Sequence, residues 1–173
     1  MNYISIKPRF WQGGTGCKIL KELGGEGGLL AFYFMTNPHV NQSGVYFCPI
    51  NYIMAETNSS RETIETSLCG LEKLGFLKYD YDAEVVWVRN LVKYQVDNWP
   101  NQKNDKRYKG VINAITSVPD TYLKEEFFEF WKIEYYSEGA SSTGSTVGPL
   151  RRGLEGASKG LKEDIEFSTG GAA

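Results

Sequence analysis

This chain predicts an α+β fold of the winged helix-turn-helix type, and three local patterns carry the prediction. A short apolar helix and a longer capped helix stand end to end across a polar break in "NYIMAETNSSRETIETSLCGLEKLGF", residues 51–76. A β-rich run, "GVYFCPI" (44–50), precedes them. Two more, "FLKYDY" (76–81) and "VVWVRNL" (85–91), follow directly and are joined only by "DAE", a spacing that reads as a hairpin. Helix, short strand, helix, turn, helix, hairpin is the order of a winged helix, in which the third helix fits a DNA major groove and the hairpin is the wing beside it.

Each element has a local reason. Residues 2–11, where Tyr3, Ile4, Ile6, Phe10 and Trp11 alternate with Lys7 and Arg9, read as an extended opening segment. "GGTGCKILKELGGEGG" is rich in glycine but is no phosphate loop, since Lys18 is followed by Ile19 and not by Ser or Thr; it reads as a turn before a helix. "GLLAFYFMTNP" (28–38) is an apolar run of helical length, stopped at Asn37 and Pro38. Pro49 opens the next helix, whose inner face is Ile50, Ile53 and Met54. Asn58 ends it. Ser59 and Glu62 have the spacing of a capping box, and Ile64, Leu68 and Leu71 form one buried stripe on the helix that follows. Gly75 stands where a helix C-terminus needs it. Two further helices, "KGVINAITSV" and "TYLKEEFFEFWKIEYY", flank Pro119. The second carries more rings than a lone helix can expose, so it should pack on the domain, on a copy of itself or on a partner.

The chain has 173 residues, enough for one small domain and a tail. The expected organisation is a winged-helix domain over 1–96, a basic segment with a helical extension over 97–136, and a Gly/Ser/Thr-rich disordered tail over 137–173. Net charge is only −2, but it is uneven. Residues 1–110 hold 13 basic and 11 acidic residues, whereas 111–173 hold 6 and 10. The front therefore favours an anionic partner. Cys17, Cys48 and Cys69 are an odd, widely spaced set, which argues for reduced thiols over a disulfide framework or a metal site. The N-terminus lacks an apolar signal core, and no run is long enough to span a membrane, so the cytoplasm is the expected location. With a single histidine, His39, and no nucleophile elbow or metal-like carboxylate pattern, an enzyme is the least favoured class, and no cofactor or metal is expected.

The candidate DNA contacts fall in three groups. On the capped helix, Ser60, Arg61, Thr63, Thr66 and Lys73 lie near its start or on its outer face; an arginine can read guanine bidentately, and hydroxyls serve bases or phosphates. Glu62, Glu65 and Glu72 oppose this, since carboxylates repel phosphate. On the wing, Lys78, Tyr79, Tyr81 and Arg89 are the candidates, with Asp80, Asp82 and Glu84 at its tip. Beyond it, Lys103, Lys106, Arg107 and Lys109 form the densest positive charge in the chain. Trp11, Phe32, Tyr33, Phe34, Trp87 and Trp99 suit core or dimer packing better than base stacking, because they sit in periodic segments.

In "FW" (10–11), "FYFMTNPHVNQSGVYFCPINYIMAETN" (32–58), "LEKLGFLKYD" (71–80) and "VWVRNLVKYQ" (86–95) the chain resembles the winged-helix N-terminal domain of phage replisome-organizer and replication-initiation proteins. The most specific part is the run from Thr36 to Tyr46, and the resemblance covers roughly residues 3–130. One departure is the glycine-rich 24–28 segment, where a charged, more helical start to the first helix is expected. The resemblance implies a protein that binds double-stranded DNA in replication initiation. The alternatives are a phage transcriptional regulator and a winged helix used purely for protein interaction. A replicative helicase or helicase loader reached through the tail, and a homodimer, are the further partners to consider.

Overall fold

The computed structural model describes residues 9–12, 14–96, 99–101 and 106–133. Met1–Tyr136 form one compact unit; Lys103 and the tail from Ser137 lie outside the described residues. The architecture is α+β, with a three-stranded antiparallel sheet covered by helices on both faces. The elements are α1 (Arg9–Gln12), α2 (Thr15–Thr36), β1 (Val45–Phe47), α3 (Ile50–Thr57), α4 (Arg61–Lys73), β2 (Leu77–Asp80), β3 (Val85–Val88), α5 (Leu91–Gln95), α6 (Lys106–Thr116) and α7 (Tyr122–Trp131).

Two expectations for the first forty residues are corrected. Phe10 and Trp11 lie in the short helix α1 and not in an extended segment. The glycine-rich stretch is not a turn before the helix but part of α2, which runs from Thr15 and kinks at Gly24 (φ 67, ψ −162). That backbone conformation is open to glycine at little cost. Glycines also admit α2 to α4: a Cβ on Gly70 would stand 2.4 Å from Leu23 Cδ2.

The connection from α2 to β1 is a polar knot built by the run from Thr36 to Tyr46. Asn37 Nδ2 donates to Tyr33 O (3.1 Å) and to the Tyr46 hydroxyl (2.8 Å), while its Oδ1 accepts from the His39 amide (2.9 Å). Tyr46 in turn donates to Phe34 O at 2.7 Å. Asn41 Oδ1 accepts from the amide and hydroxyl of Ser43 (3.0 and 2.6 Å), and its Nδ2 donates to Val45 O (2.8 Å). Gly44 has φ 77, and a Cβ there would press to 2.8 Å from Val88 O. Since buried polar groups are costly unless bonded, this run has a structural reason at nearly every position.

The sheet order is β1-β3-β2. Tyr46, Val86 and Tyr79 are in register across the three strands. Their face packs with Leu30 and Phe34 of α2, Ile53 of α3, and Ile64, Leu68 and Leu71 of α4. The opposite face presents Val45, Val85 and Trp87 to Val92 of α5, Val111 and Ile115 of α6, and Leu123, Phe127 and Trp131 of α7. The aromatic helix α7 therefore packs on the domain itself. Strand β3 stops at Val88; the expected strand to residue 91 instead turns at Arg89 and Asn90 into α5.

The helix pair forms as its sequence dictates, with one shift. Asn58 takes the left-handed conformation (φ 54, ψ 31) and ends α3. The N-cap of α4 is Ser60, whose Oγ accepts from the Thr63 amide at 3.2 Å. The expected Ser59–Glu62 box is thus replaced by a single cap one residue later, at Ser60, whose extended backbone (φ −70, ψ 155) aims its hydroxyl at the first turn. At the other end, Phe76 N donates to Leu71 O (3.0 Å) and Gly75 N to Glu72 O (2.8 Å), the paired bonds of a Schellman cap.

Leu68 is fully buried in the middle of the α4 stripe. Leu68→Ala should destabilise the fold by about 2–5 kcal/mol, the range for deleting a buried leucine side chain, as read by urea titration. A change below about 0.5 kcal/mol, the scale of an ordinary surface substitution, would contradict this packing.

Candidate nucleic-acid interface

The candidate interface is α3, the polar turn Asn58–Ser60, α4 and the β2–β3 hairpin. Because Ile64, Leu68 and Leu71 are buried, the outer face of α4 is set by helical geometry: Arg61, Glu62, Glu65, Thr66, Cys69 and Lys73 are all exposed. The two helices are tied to the core through α2. Glu56 of α3 accepts from the Tyr33 hydroxyl (2.8 Å) and bonds His39 Nε2 (2.8 Å). Burial alone would raise the Glu56 carboxyl; its bonds from His39 and Tyr33 outweigh that and hold it below the ordinary carboxylate range. Cys48, buried beside Tyr33, is pushed up to about 12 by burial, so it is a neutral packing group and not a reactive thiol.

The candidate contact residues divide by what already engages them. The Ser60 and Thr63 hydroxyls lie 2.9 Å apart and serve the helix cap. Arg61 Nη1 bonds Glu65 Oε1 at 3.1 Å along the helix. Thr66 and Lys73 are exposed. Lys78 is part-exposed but its charge is engaged: its Nζ bonds Glu126 Oε1 of α7 at 2.6 Å and also contacts Oε2. Arg89 stands over the Trp87 ring at 5.8 Å, beside the Gly75 turn, with its Nε buried and without a partner. Lys106, Arg107 and Lys109 are exposed on the first turn of α6. Lys103 lies outside the described residues.

The hairpin is braced rather than projecting. Asp80 is buried at its turn. Its Oδ1 accepts from the Asp82 and Ala83 amides (3.0 and 3.1 Å), and its Oδ2 accepts from the Thr121 hydroxyl at the start of α7 (2.6 Å). Burial would raise the Asp80 carboxyl, but the bonds from Thr121, Ala83 and Asp82 together hold it low. Glu126 and Thr121 were invisible as partners in the sequence, since they stand 48 and 41 residues from the groups they bind. The one available signal was the amphipathic pattern of α7, which says that one face must be covered but not by what.

No helix of the described residues is long and apolar enough to cross a membrane, and no cluster of His, Cys, Asp or Glu among them is placed to hold a metal ion. No family model, curated protein or solved structure matches the chain.

A pH dependence follows from Asp80. A carboxyl whose folded pKa is depressed contributes stability that is present above its unfolded value, about 3.9, and is lost as pH falls through the lower folded value. Asp80→Asn should therefore lower the thermal midpoint at neutral pH. The gap from the unsubstituted protein should narrow progressively below about pH 4, close to that unfolded value. A gap independent of pH would show that the charge of Asp80 is not what stabilises the turn.

Proposed function

We propose that this chain is a winged-helix protein that binds double-stranded DNA and acts in phage or prophage replication initiation. The observation that carries the reading is the disposition of α4. It is capped at Ser60, anchored by a continuous buried stripe, and keeps its outer face in solvent directly before a hairpin. A helix held so rigidly by its inner side is suited to present side chains to a groove. The exposed Lys106, Arg107 and Lys109 add positive charge suited to phosphates. The replication role rests on the resemblance set out above.

A second reading, a protein-interaction module that uses no DNA, is favoured by a specific observation. Two of the cations offered for DNA, Arg61 and Lys78, are already paired with Glu65 and Glu126, and Glu62 is exposed on the same helix. Capture of phage genomic fragments on the purified protein separates the cases. Enrichment of one intergenic repeat supports initiation, enrichment of promoter fragments supports a regulator, and no enrichment supports the interaction module.

On the DNA reading, binding to duplex should be salt-sensitive. With about four cations on phosphates, log K should fall against log salt with a slope of about −3 to −4; a flat response in fluorescence anisotropy would refute the reading. Arg61→Ala should cost about 1–3 kcal/mol on the preferred site and relax sequence preference, while Lys106→Ala weakens all duplexes alike. Equal weakening of specific and random DNA by Arg61→Ala would remove the base-reading role.

A further inference from the structure

Tyr81 at the hairpin turn and Tyr122 at the start of α7 are 49% and 50% exposed, although they belong to elements otherwise drawn inward by Tyr79, Asp80 and Leu123. Burial, then the carboxylates of Glu72 and Glu65, act on the Tyr81 phenol. Burial, then Asp80, Glu126 and Glu72, act on that of Tyr122, with a smaller contribution from Tyr81. The two α4 carboxylates are engaged within the fold, Glu65 by Arg61 and Glu72 by the Tyr79 amide (2.8 Å). An open groove of about 520 Å³ lies where the hairpin turn meets the start of α7, lined in part by Asp82, Asp120, Tyr122 and Glu125. None of the residues that line the groove is cationic, and nearby Lys78 is paired with Glu126. Asp80 has both oxygens occupied within the fold, whereas Asp82, Asp120 and Glu125 are exposed.

We propose that the hairpin turn and the start of α7 form a docking surface for a Lys/Arg-rich segment of a partner protein. Charge complementarity selects this occupant. A phosphate backbone would meet carboxylates of its own sign, and an apolar helix would strip water from charges it cannot pair. A lysine or arginine can lie over a tyrosine face within about 6 Å and bond a neighbouring carboxylate with a charge-assisted hydrogen bond. Half-exposed tyrosines beside a groove are also the residue type that anchors protein interfaces. The inference goes beyond the DNA reading and does not rest on it: it shares Tyr81 with the wing contacts offered to DNA, whereas Asp82, Asp120, Tyr122 and Glu125 are not among them.

The test uses the full chain and a fluorescein-labelled oligo-lysine peptide in anisotropy titrations, with an oligo-glutamate peptide as the control. The unsubstituted protein should bind oligo-lysine and not oligo-glutamate. The double substitution Tyr81→Ala, Tyr122→Ala should weaken binding about tenfold or more, as loss of interface tyrosine anchors does. Asp82→Lys with Glu125→Lys should do at least the same. These side chains are exposed, and an unchanged thermal midpoint would confirm that the fold persists. Glu22→Lys with Glu26→Lys, a charge reversal on the remote α2, should change affinity less than about twofold, which is under about 0.5 kcal/mol. An equal loss from that remote reversal, or no loss from the tyrosine substitutions, overturns the proposal by showing only diffuse attraction to an acidic protein. Arg61→Ala should leave peptide binding intact, so failure of the DNA reading and failure of this one are separately visible.

Discussion

Strand β3 has to be buried on both of its faces at once. Its four residues alternate, Val86 and Val88 into one core and Val85 and Trp87 into the other, as the period of two in a strand requires. A strand so apolar in the middle of a sheet leaves neither face free to meet water. The helices α2, α3 and α4 cover one face; α5, α6 and α7 cover the other. Removing either layer would expose a continuous apolar surface, which is why the helices after the hairpin share a core with the sheet and are not a separable appendix.

The polar groups are arranged to serve that constraint. The loop entering β1 must carry backbone through the interior, and Asn37, Asn41, Ser43 and the Tyr46 hydroxyl satisfy its amides and carbonyls. On the far side, α7 is fixed to the hairpin by Lys78–Glu126 and by Asp80–Thr121. The first neutralises the Lys78 cation of the hairpin, while the second holds the Asp80 carboxylate, still charged, inside the turn. The stability of the second core and the electrostatics of the outer surface are thus coupled: the Lys78–Glu126 pair that braces the hairpin also makes its exterior less cationic.

The consequence is a division of the surface. Positive charge gathers at the start of α6, while the hairpin turn and the start of α7 are acidic and rich in tyrosine. On the outer face of α4 the arginine is already paired to a carboxylate one turn away. An exposed i,i+4 pair of this kind is worth only a few tenths of a kcal/mol, so a ligand could displace it at small cost. A part-buried pair that spans two elements, such as Lys78–Glu126, is much harder to open.

Local signals determined much of this protein by themselves. The stop of α2 at Asn37, the end of α3 at Asn58, the buried stripe of Ile64, Leu68 and Leu71, the cap at Gly75 and the hairpin after it all follow from neighbouring residues, and so were legible. The choice between Ser59 and Ser60 as cap was not, because both offer a hydroxyl and only the path of the turn decides which one aims at an amide. Nor was the kinked helix through Gly24, where low helix propensity is overridden by packing of Leu23 against Gly70. The candidate contacts were legible as residue types but not as available groups. Whether Lys78 faces solvent or Glu126, and whether Asp80 tips a wing or anchors it, depends on a helix more than forty residues away. Only the tertiary structure brings those charges together, and a charge acts on a ligand according to the partner it already has.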